Sequence, residues 1–211
     1  MEQGTSCWRL ARLGKATSSR IADIIARTKS GYSTSRANYA AQLACERLTG
    51  IPAESYVNAA MVWGVEKEPE ARRLYEFEQD VAVRRAGFLD HATIAMSGAS
   101  PDGFVGDDGL VEFKCPITAT HIATLLGQTI PSKYAAQIQW QMAVTGRAWC
   151  DFVSYNPRLP PAMRLFVQRI PRDPILIGAL EREVERFLAE VDATLIKLKT
   201  RTLEGRMMES A

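Results

Sequence analysis

Asp102, Glu112 and Lys114 are the residues of this sequence best placed to do chemistry together. They lie in the string Ser100-Pro101-Asp102-Gly103-Phe104-Val105-Gly106-Asp107-Asp108-Gly109-Leu110-Val111-Glu112-Phe113-Lys114-Cys115-Pro116. Residues 110–115 are strand-compatible, opened by an Asp-Asp-Gly turn signal and closed by Pro116, so the spacing predicts a hairpin. Side chains alternate along a strand, which puts Glu112 and Lys114 on one face and Val111, Phe113 and Cys115 on the other, in the core. A carboxylate and an ammonium in an apolar strand are costly to bury without a purpose. If the two arms pair, Asp102 meets Glu112. Two acidic oxygens beside a lysine suit a hard divalent cation such as magnesium and a positioned water, which are the needs of phosphodiester hydrolysis. A surface hairpin with ordinary solvated pairs fits the same short pattern.

Other elements must hold this hairpin in place. Thr17, Ser18 and Ser19 are N-cap types followed by Ile21, Ile24 and Ile25 at helical spacing, which predicts a helix over about 17–28. Arg12 precedes it, and a basic side chain with hydroxyls beside a helix N-terminus favours an anion; an ordinary cap with a solvated arginine is the commoner meaning of such residues. A polar loop over 27–36 leads to a second helix over about 35–48, and Lys29 in that loop is a candidate DNA-backbone contact. A third helix is expected from Trp63-Gly64 to about Glu78, with Ala71, Leu74 and Tyr75 on its buried stripe. Glu66, Glu68 and Glu70 crowd its expected first turn, where acids suit the dipole and Pro69 is tolerated. Periodicity turns Glu66 away from the stripe and leaves Glu68 and Glu70 on its two flanks, without choosing between them as a metal ligand. Strands are expected at 81–88, partnered by 92–96, and at 148–155 and 164–170. Helices are expected over 118–126, 132–144 and 174–199, the last amphipathic and followed by a frayed polar tail at about 201–211. Gln137 and Gln141, one turn apart, share a face that either looks toward Asp102 and Glu112 or meets solvent.

With 211 residues, 46% hydrophobic and 24% charged, the chain has the make-up of one soluble domain spanning 1–211. A net charge of +2 neither demands nor excludes nucleic acid, so any DNA-binding surface has to be a local basic patch. No run of about eighteen apolar residues and no signal-peptide order are present, so a cytoplasmic protein with no membrane partner is expected. Cys7, Cys45, Cys115 and Cys150 are scattered, which argues against zinc and iron–sulfur ligation and predicts buried free thiols. His91 and His121 lie outside the acidic string, leaving a histidine nuclease or a Ser-His-Asp triad little support. There is no glycine-rich phosphate loop, so ATP-driven translocation is not expected.

Pro101-Asp102 followed by Glu112-Phe113-Lys114 resembles the signature of the PD-(D/E)XK nuclease superfamily, and the fuller string resembles the lambda exonuclease (YqaJ-like viral recombinase) family. Trp8, Arg12, Leu13, Gly14, Thr17 and Ser19 are similar to that family's N-terminal block. The run from Trp63-Gly64 to Ala71-Arg72 resembles its Trp-Gly-xxx-Glu-xx-Ala-Arg helix start, and Ala136-Gln137-Ile138-Gln139 also matches. The resemblance runs in order from about residue 8 to about residue 158. It implies an α/β fold with a restriction-endonuclease-like core, a central mixed twisted sheet flanked by helices. It also implies an Mg²⁺-dependent 5′→3′ exonuclease on linear double-stranded DNA, which degrades the 5′-phosphorylated strand and leaves a 3′ overhang for phage-type recombination by single-strand annealing.

Carried over residue by residue, the resemblance makes Asp102, Glu112, the main-chain carbonyl of Phe113 and Glu68 the ligands of a pair of Mg²⁺ ions, with Mn²⁺ able to substitute. The spacing from Trp63-Gly64 selects Glu68 over Glu70, although Pro69 departs from the family pattern and leaves the local backbone open. Lys114 would orient and help deprotonate the attacking water. Arg12, Ser19 and Ser100, with Gln137 nearby, would bind the DNA 5′ phosphate, and Met61 matches an apolar residue that splits the strands. The implied partners are DNA ends, further copies of the chain in a ring-shaped homotrimer and a single-strand annealing protein, in a bacterial cytoplasm with a phage or prophage origin. Two rivals are a structure- or sequence-specific endonuclease on the same core and a DNA-end-binding module without catalysis. Circular DNA discriminates the first, and intact Asp102, Glu112 and Lys114 speak against the second.

Overall fold

A mixed five-stranded sheet holds the expected hairpin at its centre. The computed structural model describes residues 2–53 and 58–209. In chain order its elements are α1 (Ser6–Arg12), β1 (Ala16–Thr17), α2 (Ile21–Ile25), β2 (Arg27–Thr28), β3 (Gly31–Tyr32), α3 (Thr34–Thr49), α4 (Ala59–Gln79), β4 (Val83–Arg85), β5 (Leu89–Asp90) and β6 (Ser97–Ala99). There follow β7 (Gly103–Val105), β8 (Gly109–Lys114), α5 (Thr118–Gly127), α6 (Ser132–Thr145), β9 (Trp149–Tyr155), β10 (Leu165–Pro171) and α7 (Pro174–Glu209). The strand order is β10-β9-β8-β7-β4, and a smaller sheet runs β1-β6-β5. β8 pairs antiparallel with β7 and parallel with β9, so the chain between them must cross over, and α5 and α6 make that crossing.

Period-two alternation decides what each face of the sheet meets. Leu110, Cys150, Phe152 and Phe166 pack with Ile138 and Met142 of α6. Val111, Phe113, Val153 and Tyr155 pack on the other face with Ala71 and Tyr75 of α4. Each apolar side chain so buried stabilises the fold by about 1.5–3 kcal/mol. A third cluster joins α2, α3, α6 and α7 through Ile21, Ile24, Tyr39, Leu43, Trp140, Val184 and Phe187. Helices thus cover both faces of a central mixed sheet, the α/β arrangement expected of a restriction-endonuclease-like core. No helix among the described residues is long and apolar enough to cross a membrane.

Several boundaries differ from expectation. α4 starts at Ala59, because the Asn58 side chain accepts the Met61 N–H and caps it there. Glu66, Glu68 and Glu70 therefore lie in mid-helix, and Pro69 sits inside the helix. Proline cannot donate to the carbonyl one turn back, that of Val65, a residue on the exposed side of the helix. Residues 92–96 form turns instead of a strand: His91 Nδ1 accepts the Thr93 and Ile94 N–H groups, and Met96 adopts φ 59°. β4 pairs with β7 instead. α2 is one short turn preceded by a 3-10 segment, Ser18–Arg20, and neither receives a side-chain cap. The polar loop before α3 contains the β2–β3 hairpin. Cys7 and Cys45 are exposed; only Cys115 and Cys150 are buried. α7 continues as helix through residues 200–209, where a frayed tail was expected, with the Thr200 and Thr202 hydroxyls bonding back to the carbonyls of Ile196 and Leu198.

Candidate active site

The turn between β7 and β8 is Gly106-Asp107-Asp108, with Gly106 at φ 53°, the left-handed conformation that glycine accepts most readily. Gly109 serves a different purpose. A Cβ there would stand 2.2 Å from the Trp149 ring, so its bareness lets β9 close on β8. Gly103 pairs with Val111, and Asp102, one residue earlier, reaches the next position: the Phe113 N–H donates to its Oδ2 at 2.7 Å.

Glu112 is almost wholly buried and accepts three hydrogen bonds. Lys114 Nζ and Gln137 Nε2 donate to Oε1 at 2.5 and 2.6 Å, and Gln141 Nε2 donates to Oε2 at 2.6 Å. The two glutamines therefore face inward, and Gln137 lies on Glu112 rather than on Arg12, Ser19 or Ser100. Glu68 lies on the α4 side, bonded by Arg72 Nη2 at 2.6 Å. Glu70 instead pairs with Lys67 and accepts from the Tyr155 hydroxyl. Arg72 is buried, with its guanidinium 5.5 Å from the Phe113 ring centre and its Nε and Nη1 without partners.

The electrostatics are lopsided. Burial, then the charges of Glu112 and Glu68, push the Asp102 carboxyl well above the ordinary carboxylate range. Burial would lower the Lys114 pKa, but Glu112 and Asp102 outweigh it and hold the ammonium charged above the ordinary lysine value. Among the described residues no three His, Cys, Asp or Glu side chains converge closely enough to enclose a metal ion. Ion pairs hold two of the three acids here, Glu112 to Lys114 and Glu68 to Arg72. The donor chemistry nevertheless fits one: Asp102, Glu112 and Glu68 supply hard carboxylate oxygens, and their mutual repulsion is what a divalent cation relieves.

A second cluster surrounds Arg12. Its guanidinium stacks on Trp8, 4.1 Å from the ring centre, and reaches the hydroxyls of Ser100, Thr17 and Ser19, each at 3.5 Å. Trp8 Nε1 holds the Ser100 hydroxyl at 2.9 Å. Three long contacts and no ion pair among the described residues leave the guanidinium free to take an anion. With α2 reduced to one turn, side-chain donors rather than a helix dipole make this cluster suit an anion. Burial lowers the Arg12 pKa, offset in part by Tyr39 and Glu46. Lys29 is exposed at the tip of the β2–β3 hairpin and joins neither cluster by a hydrogen bond. Met61 stands about half exposed in the first turn of α4.

Sequence reasoning did not mention Glu46, and it gave neither Arg72 nor Thr17 a place beside a site residue, naming Thr17 only as a helix cap and both as parts of family motifs. Glu46 is buried and accepts the Gly14 N–H at 2.7 Å, fixing the loop beyond Arg12. An arginine four residues after Glu68 was the signal for Arg72, since that spacing is one helical turn.

Residues 7–148 match the family model of the YqaJ-like viral recombinase domain. A search of curated proteins finds no match. Among solved structures, an alkaline exonuclease (LHK-Exo) from Laribacter hongkongensis is 50% identical, with a TM-score of 0.88 over 95% of this chain and 99% of that one. The same enzyme in complex with dAMP is 51% identical, with a TM-score of 0.89 at the same coverage. A phage related exonuclease from Haemophilus somnus 129PT shares the fold at 18% identity, with a TM-score of 0.68 over 87% of this chain and 96% of that one.

Proposed function

Because the chain belongs to the YqaJ-like viral recombinase family, we propose that it is a DNA exonuclease, dependent on Mg²⁺, that degrades the 5′-phosphorylated strand of a linear duplex in the 5′→3′ direction. The observation that carries this reading is the convergence of Asp102, just ahead of β7, with Glu112 and Lys114 of β8. Likeness to an alkaline exonuclease over nearly the whole chain supports it.

Asp102, Glu112, the Phe113 carbonyl and Glu68 would hold the metal. Bound there, Mg²⁺ supplies an activated water and neutralises charge on the phosphate. Lys114 donates hydrogen bonds in its charged form and orients the nucleophile. Its proton is held by Glu112 and Asp102, so it is released more readily, leaving a free amine able to accept one, when those acids are neutralised. Arg12, Ser19 and Ser100 would seat the terminal 5′ phosphate, with Trp8 aligning the Ser100 hydroxyl, and this pocket would set the polarity. Met61 is the candidate wedge between strands. A ring-shaped trimer, Mn²⁺ as an alternative metal and a single-strand annealing partner complete the reading.

The test is Mg²⁺-dependent digestion of a linear duplex labelled on one strand, with 5′-phosphate and 5′-hydroxyl ends and a circular substrate compared. Loss of the 5′-phosphorylated strand alone, and a fall of at least about a hundredfold in Lys114→Ala, are expected. Cutting of the circle, or prior loss of the 3′ end, would overturn the polarity and the phosphate pocket.

A further inference from the structure

Gln141 is fully buried on α6. Its Nε2 donates to Glu112 Oε2, while its own Oε1 is buried without a partner. A carboxylate only accepts, so the amide must offer its NH₂ to Glu112, and its carbonyl is left over. A buried carbonyl left unpaired loses its bonds to water and gains none in return. Gln139 on the same helix makes the contrast: it is buried too, but its Nε2 donates to the Pro171 carbonyl and its Oε1 accepts the Asp173 N–H. Gln139 ties two chain segments together with both ends, whereas the Gln141 side chain bonds to Glu112 alone.

The two oxygens of Glu112 are treated differently as well. Oε1 carries Lys114 and Gln137, both partly exposed, and Oε2 carries only the fully buried Gln141. We propose that Gln141 is a positioning residue that pins Glu112 Oε2 in the interior, so that Oε1 is the oxygen offered to a divalent cation when Lys114 and Gln137 give way. This rests on the metal-dependent reading above and deepens it. Methionine at 141 would keep the volume but leave Oε2 without its donor and the carboxylate free to turn.

The experiment is calorimetric titration of Mn²⁺ into the full chain without DNA, for the wild type, Gln141→Met, Gln141→Asn, Gln139→Met and Asp102→Asn, beside thermal melts in chelator. Both Gln141 variants should bind Mn²⁺ about tenfold or more weakly, the loss expected when the partner of a metal-binding carboxylate is removed. They should also need more Mg²⁺ for half-maximal digestion. Gln139→Met should melt lower and bind Mn²⁺ as the wild type does. Should Gln141→Met fail to fold, Gln141→Asn, which withdraws the amide by one methylene and keeps the position polar, decides the matter. Unchanged Mn²⁺ affinity in a folded Gln141 variant overturns the proposal. A wild type that binds no Mn²⁺, or Asp102→Asn binding as well as the wild type, overturns instead the metal-dependent reading beneath it.

Discussion

Glu112 and Asp151 stand almost side by side in one sheet, on adjacent strands and opposite faces, since Val111 pairs with Asp151 and Glu112 with Phe152. Both are almost completely buried, and both meet a cation from a neighbouring position. Asp151 takes two bonds from Arg169 at 2.8 and 2.9 Å and a third from the Tyr75 hydroxyl at 2.8 Å. Arg169 in turn lies over the Trp149 ring, 3.5 Å from its centre. One charge meets one charge there, and the account closes. Around Glu112, three carboxylates face the two cations Lys114 and Arg72, and the surplus falls on Asp102. Burial is therefore common to both acids; what separates them is the local sum of charge.

Substitution of the two acids gives the largest contrast. Asp102→Asn should abolish Mg²⁺-dependent digestion, by about a thousandfold or more, and leave the metal-free protein as stable or more so, because it removes a repelled carboxylate. Asp151→Asn should cost about 2 kcal/mol in urea unfolding through its lost charge-assisted bonds, while the folded fraction still digests DNA. If Asp151→Asn proves stable but inactive, the contrast between the two faces is wrong.

Glu183 sharpens it with cations in excess. Burial would raise its pKa, but the Tyr32 hydroxyl, Arg186 and Arg27 together hold it below the ordinary carboxylate value. Its ionised form is thus favoured by folding, so its contribution is complete above the ordinary value of 4.5 and is lost as pH falls through the lower folded value. The melting-temperature gap between the wild type and Glu183→Gln should be constant near neutrality and close in acid. A gap that widens in acid would refute this. The smallest effect is chemical: alkylation of the native protein should modify Cys7 and Cys45 and spare Cys115, which is buried and whose thiol is pushed up to about 12 by burial, then by Glu68 and Asp102.

What could be read from the sequence was what local rules govern. Alternation placed Glu112 and Lys114 on one face, and the Asp107-Asp108-Gly109 turn signal let the hairpin be drawn with Asp102 beside Glu112. The α4 start was missed because Trp63-Gly64 looked like a beginning, whereas the Asn58 cap lies five residues earlier. The turn at 92–96 depends on one imidazole nitrogen catching two N–H groups, which no periodicity reports. Asp151 was illegible as a buried acid because its partners Tyr75 and Arg169 are distant in sequence, and Gln141 stayed open between an inward and a solvent face because Glu112, which decides it, lies 29 residues away.

Gly14 carries a consequence for sequence variation. It adopts φ 66°, its N–H is held by Glu46 and its carbonyl by Arg47, and a Cβ would stand 2.6 Å from the Arg47 side chain. In a saturation library, position 14 should therefore tolerate almost no replacement, and the spacing between Arg12 and Thr17 no insertion. The neighbourhood of the Arg12 cluster is thereby closed to gradual drift: the same library should accept almost any residue at exposed Lys29, but should keep this joint intact.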